Sequence, residues 1–254
     1  MKFSKYILLT EDHAQPISNN DAENIIRTKC TLVDKNNINI YRGTPTHTDY
    51  LFGSGEFSKP RTSANTSNYT TLLIDNSPLW NAYPKRSKSY ICTTSETMAR
   101  QYGTKYKVYP YDTANIGIAP NDDFWFSFNR LKEVANNHNI SNFNDLLGHI
   151  FFYLYNRQQR NDQSFDNIKA ACIAVDKYLE NIDYDYSKLP NDFTMREKII
   201  IKSLTHDKNS MLSVIMNCLA PQLNGFKQAT LSQLTTLPEN VEVWTDSPCI
   251  FKRY

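Results

Sequence analysis

The hydrophobic pattern of this chain changes period twice, and that change limits the folds open to it. Before residue 129 the apolar residues fall in short runs bounded by Gly, Pro, Asn and Ser. Ile38-Asn39-Ile40-Tyr41-Arg42 and Tyr90-Ile91-Cys92-Thr93 are examples, and such runs mark half-buried strands. From 129 to 220 the apolar residues recur at helical spacing. Phe143, Leu146, Leu147, Ile150, Phe151, Leu154 and Tyr155 form one stripe, and Phe165, Ile168, Cys172, Val175, Leu179 and Ile182 form a second; shorter stripes cover 195–204 and 211–219. Strand character returns at Val241 and runs to Phe251, broken by Ser247-Pro248. The expected class is α+β, with strands drawn from both ends of the chain and helices between them.

Within the first region a helix is expected over 20–36, with Ile25, Ile26, Cys30, Leu32 and Val33 inward and Asn19 or Asn20 as its cap. A strand over 37–42 ends at Gly43 and Pro45. Residues 44–70 read as one long irregular stretch, and a loop of that length in a compact domain is usually functional. A second strand covers 88–94 and passes into a short helix that Gly103 stops at its C′ position. Short strands at 105–109 and 116–118 lead to the aromatic cluster Phe124-Trp125-Phe126-Ser127-Phe128.

A chain of 254 residues with 40% hydrophobic and 13% aromatic content can bury a substantial core. Lys and Arg total 28 against 26 for Asp and Glu, so no overall field argues for duplex DNA as a partner. Cys30, Cys92, Cys172, Cys218 and Cys249 are widely spaced and include no Cys-x-x-Cys pair, which argues against a disulfide framework or a zinc site and for a reducing compartment. The opening segment, apolar from Tyr6 to Leu9 and then Glu11-Asp12-His13, has no Sec-type signal character. Ile150 to Tyr155, the longest later apolar run, falls far short of the roughly 20 residues of a membrane-spanning helix. A cytoplasmic protein is expected. The five His form no close pair, and His149 reads as a packed residue. Asp122-Asp123 is too short for a metal loop. Gly-x-Gly-x-x-Gly, a phosphate-binding loop and Gly-x-Ser-x-Gly are all lacking, which removes the signatures of dehydrogenases, nucleoside triphosphatases and α/β-hydrolases.

Three segments taken in order carry a resemblance: Tyr41-Arg42-Gly43, then Tyr90-Ile91-Cys92-Thr93-Thr94-Ser95 passing into a helix with Ala99, then Glu242-Val243-Trp244. An Arg on an early strand, a hydroxyl-rich strand end and a Glu on a late strand resemble the mono-ADP-ribosyltransferases of the Arg-Ser-Glu type. The resemblance implies a split antiparallel β-sandwich with a helical insertion, its catalytic core being 1–128 and 236–254 and the insertion 129–235. It implies NAD as the consumed cofactor, no metal, and a macromolecular target. A protein of a host cell is the first expectation for that target and nucleic acid the second, as for an effector, toxin or phage enzyme delivered into a host.

ADP-ribose transfer breaks the nicotinamide–ribose bond through a transition state with positive charge on the sugar. A carboxylate beneath the ring stabilises that charge, the role implied for Glu242. A guanidinium can grip the diphosphate bidentately, the role implied for Arg42 beside Gly43. Thr93, Thr94 and Ser95 would hold the ribose and orient the Glu strand. Arg61, Asn65, Asn68 and Tyr69 form a second candidate NAD-binding element, followed by Trp80; the other reading is a solvated loop over the sheet edge. Lys85-Arg86-Ser87-Lys88 reads as a solvated turn ahead of a strand, with contact to nucleic acid or an NAD phosphate as the other reading, and Phe124-Trp125-Phe126 reads as core.

Two departures matter: Thr93 stands at the first Ser of the Ser-Thr-Ser pattern but keeps a hydroxyl, and the second is more serious. Arginine-modifying members carry Glu or Gln two residues before the catalytic Glu, and here that position is Asn240. Strand alternation would turn Asn240 into the site, where an amide orients an acceptor but cannot act as a base. Two alternatives share the fold: an NAD glycohydrolase that releases free ADP-ribose, and a binding module that transfers nothing.

Overall fold

The computed structural model describes residues 14–57, 61, 68–129, 164–189, 191 and 195–254. The expected helix around 143–155 and the candidate Asn65 lie outside them. The chain divides into two compact units. One comprises Met1–Ala64, Asn81–Ser127 and Gly225–Tyr254; the other comprises Asn65–Trp80 and Phe128–Asn224.

The first unit is built on nine described strands: β1 (Ala14–Pro16), β2 (Tyr41–Thr44), β3 (Tyr50–Gly53), β4 (Tyr90–Thr93), β5 (Thr104–Pro110), β6 (Asn115–Ile118), β7 (Lys227–Thr230), β8 (Glu242–Thr245) and β9 (Cys249–Arg253). Their order is β1-β3-β9-β5-β2-β4-β8-β6-β7, and every pairing is antiparallel. The result is an open α+β sheet. The sheet has a weak seam: β2 and β4 share the single register pair Tyr41–Thr93, whereas β2 follows β5 from Tyr41 to Thr44 and β4 follows β8 from Tyr90 to Thr93. β8 and β9, expected as one interrupted strand, lie on opposite sides of this seam.

Two strands correct the sequence reading. β3 lies in the stretch 44–70 read as irregular; its Tyr50-Leu51-Phe52 run is short but pairs with both β1 and β9. β7, expected inside the insertion, is the outer strand beside β6. The expected helix over 20–36 is two helices, α1 (Asn19–Lys29) and α2 (Thr31–Lys35), and Ser18 caps the first. The break at Cys30 is stabilised from afar, because Asp112 accepts from the Thr31 hydroxyl at 2.8 Å and the Leu32 amide at 2.9 Å.

Helix α3 (Tyr69–Asn76) precedes Trp80 in the second unit, and α4 (Glu96–Gln101) belongs to the first. Ser95 caps α4 and Gly103 follows it with φ 127°, the expected C′ role. A Cβ on Gly43 would stand 1.9 Å from the Ala99 carbonyl, so glycine lets α4 lie directly on β2.

The second unit packs α3 with α5 (Phe165–Asn181), α6 (Met195–Thr205) and α7 (Met211–Cys218). Ile168, Cys172, Val175 and Leu179 of α5 are buried at the spacing that foretold them. Asp176 of α5 accepts the Met211 amide at 2.8 Å, which joins α5 to the start of α7. The buried Trp80 donates its indole N–H to the Leu219 carbonyl at 2.9 Å, so its polar edge is satisfied inside the unit.

Candidate functional site

Glu242 opens β8 opposite Thr93 of β4, and the residues around that pair determine what its carboxylate can do. The hydroxyl-rich segment grips the chain just before it. Thr94 donates its amide to the Val241 carbonyl at 3.0 Å, and its hydroxyl accepts the Val241 amide at 3.0 Å. The Thr93 hydroxyl donates to the same carbonyl at 3.2 Å and accepts the Ser95 amide at 3.0 Å. Ser95 accepts the Met98 amide at 3.4 Å as the cap of α4. These hydroxyls fix where the Glu strand begins and where the following helix starts.

The carboxylate itself is enclosed. Oε1 lies 2.7 Å from Nη1 of Arg86, with the Glu242 side chain 13% exposed and that of Arg86 3% exposed. Oε2 accepts the Phe124 amide at 3.2 Å. The backbone of Glu242 is tied to the same turn, donating to Asn121 and accepting from Ala119, each at 2.9 Å.

Arg86 is the member of this cluster whose burial beside Glu242 sequence reasoning missed. Read as part of a solvated turn, it is buried in the 3-10 turn Arg86–Lys88. Its guanidinium lies 3.6 Å from the Phe124 ring centre, with Trp244 at 5.6 Å and Trp125 at 5.8 Å, a cation–π arrangement in a poorly solvated site. The segment is fastened to β8 and to the residue that follows it: the Trp244 indole donates to the Pro84 carbonyl at 3.1 Å, and Asp246 accepts the Lys85 amide at 3.3 Å. Trp244 can lie there because a Cβ on Gly117 would stand 2.1 Å from its ring. Of the cluster 124–126, Phe124 is core as expected, but Phe126 is 48% exposed. Beside the pair, burial raises the Asp123 pKa and the Glu242 charge adds to the rise, opposed by the Trp125 amide it accepts and by Arg86.

Arg42 occupies a different environment. Tyr41, Thr93 and Glu242 form one cross-strand row, so alternation turns Arg42 to the opposite face of the sheet from Glu242. There it donates to the Ile91 carbonyl, at the seam where β2 and β4 part. It lies near Cys92 and Cys249, whose thiols burial raises, Cys92 to about 12. The expected set is therefore brought together only in part. Thr93, Thr94 and Glu242 meet, Arg42 stands on the other face and two strands from Glu242, and Gly43 has a packing role against α4.

Arg61 donates its backbone amide to Ser87 at 2.6 Å in the first unit, while Tyr69 begins α3 in the second. Asn240 corrects an expectation: it sits in a turn, exposed, with φ 53°, and β8 begins only at Glu242. Strand alternation does not extend back to it. NAD therefore finds an incomplete fit, with a cation at the seam and a carboxylate two strands on that already has a cation partner. No protein-family model, no curated protein and no solved structure matches this chain.

Proposed function

We propose that the chain is a mono-ADP-ribosyltransferase that moves ADP-ribose from NAD to a macromolecular target and releases nicotinamide, its sheet being the split sandwich of that enzyme type. One observation carries the reading: the strands bearing Arg42, Thr93 to Ser95 and Glu242, far apart in sequence, are consecutive neighbours β2, β4 and β8. The single register pair between β2 and β4 is where such a sheet would split. In this reading Thr93 and Thr94 hold the strand that presents Glu242, and its carboxylate stabilises the cationic ribose; Arg42, on the other face of the sheet, braces β4 through the Ile91 carbonyl and is not the residue that meets the diphosphate. Asn240 offers no base, so the acceptor is nucleophilic already or is deprotonated by another group.

The test is incubation with NAD labelled in its adenylate moiety, with and without cell lysate. Label entering macromolecules, and lost about 10²–10³-fold or more in Glu242→Gln, supports transfer; free ADP-ribose as sole product indicates a glycohydrolase. A second reading, a binding module without catalysis, is favoured by one feature, the 2.7 Å pairing of Glu242 with Arg86. Absence of NAD cleavage by the unaltered protein selects it.

A further inference from the structure

We propose that Arg86 is a positioning residue for Glu242, acting by holding its carboxylate against the turn 119–127; this rests on the transferase reading above. A glutamate side chain that must lie beneath a developing cation needs one orientation, and a carboxylate free in water samples several. Each oxygen of Glu242 has a neighbour: Oε2 accepts the Phe124 amide, and Oε1 is held by charge, 2.7 Å from Arg86 Nη1, as an ion pair without hydrogen-bond geometry. Arg86 is itself immobilised. It is stacked 3.6 Å over Phe124, the residue whose amide holds the other oxygen, so one side chain controls both contacts. The strand that carries Glu242 supplies Trp244, and Asp246 follows it directly; together they pin Pro84 and Lys85 just before Arg86. Trp244 is accommodated in turn by Gly117 of β6. Arginine suits this role because a planar, delocalised guanidinium can lie over a ring while its charge faces the carboxylate, which a lysine ammonium does less well.

The charge arithmetic agrees with a positioning role and not with direct contact to substrate. Arg86 is 3% exposed against 13% for Glu242, so the carboxylate is the member of the pair nearer solvent. Removing one partner of a buried pair leaves the other as an uncompensated charge, which costs far more than removing both.

The experiment combines a folding cycle with kinetics on the full chain. Urea unfolding of Arg86→Met, Glu242→Gln and the double variant should show each single change lowering the folding constant, about 10²-fold or more for Arg86→Met. The double variant should lose much less than the product of the two. NAD cleavage by Arg86→Lys, which keeps the charge and loses the plane, should show kcat down at least about tenfold with KM held within about twofold. An additive cycle overturns the proposal whatever the activity. A coupled cycle with unchanged kcat in Arg86→Lys overturns it as well, since the pair is then only a structural pin. A coupled cycle in a protein that cleaves no NAD at all overturns the transferase reading and the positioning role with it. The cycle thus separates the two failures.

Discussion

Two arginines, one on either face of the sheet, invert their sequence expectations. Arg42, at the head of an expected motif, lies on the face with Tyr90, Cys92 and Cys249 and bonds a backbone carbonyl at the seam between β2 and β4. Arg86, inside an unremarkable basic run, is buried among Phe124, Trp125 and Trp244 and pairs with Glu242. The difference is one of partners. Arg42 donates to a neutral carbonyl at a strand edge, whereas Arg86 faces a buried carboxylate that needs its charge.

Stability should separate the two regions most sharply. Arg86→Met strands the Glu242 carboxylate and should destabilise the fold by about 3–5 kcal/mol. Arg42→Met loses a charge-assisted bond to the Ile91 carbonyl and should cost about 1.5–3 kcal/mol. Urea midpoints measured side by side decide this. Equal losses would mean that Glu242 is better solvated than its enclosure implies, and the contrast between the two faces would fall.

The two regions also differ in what supports them, and two glycines probe that. Gly117→Ala drives a Cβ into the Trp244 ring, and Gly43→Ala drives one into the Ala99 carbonyl of α4. Each should cost about 1–3 kcal/mol. Gly117→Ala should in addition change Trp244 fluorescence and weaken Arg86, while Gly43→Ala should leave the Arg86 region unaltered. A normal tryptophan spectrum in Gly117→Ala would show that the ring has room to move.

Much of this architecture was legible in the sequence, and the failures have a common cause. The second-unit helices α5, α6 and α7 were readable because each needs a continuous apolar stripe, and the period of that stripe is local. Gly103 as the stop of α4 was readable for the same reason. The break between α1 and α2 was not, because Asp112 supplies its cap from far along the chain. β7, Lys-Gln-Ala-Thr, has no apolar alternation, since an outer strand buries little. In the site, Glu242 and the Thr93-Thr94-Ser95 segment were found through their order. Arg86 carried no local mark, for its burial depends on Trp244, Phe124 and Gly117, all brought near by the sheet. Asn240 misled because alternation was extended past the end of the strand.

That misreading yields a smaller test. With φ 53°, Asn240 stands where a side chain with a Cβ is strained and Asn or Gly is tolerated. Asn240→Ala should cost about 1 kcal/mol, while Asn240→Gly should be nearly neutral. If Asn240 has only this backbone role, Asn240→Gly should also keep any acceptor preference found by mapping modified residues. A changed preference would restore the amide as an acceptor-orienting group.

The smallest expected effect concerns Asp123, which shares the Arg86 region. Burial and the charge of Glu242 raise its pKa above the ordinary 3.8, while Arg86 and the Trp125 amide oppose the rise and Asp122 adds to it. For an acid whose folded pKa is raised, the folded state keeps a proton that the unfolded chain has released. Stability from this group therefore falls as pH climbs through that window and stays low above it. Asp123→Asn keeps an oxygen to accept the Trp125 amide and removes the ionisation. It should raise the melting midpoint at neutral pH by about 2 °C or less, and the gain should vanish below pH 3.8, where both side chains are neutral. Melting curves of both proteins from acid to neutral pH measure the difference directly. A loss of stability at neutral pH would mean that the hydrogen bond from Trp125 to a charged carboxylate outweighs the burial, and that Arg86 neutralises Asp123 as well as Glu242.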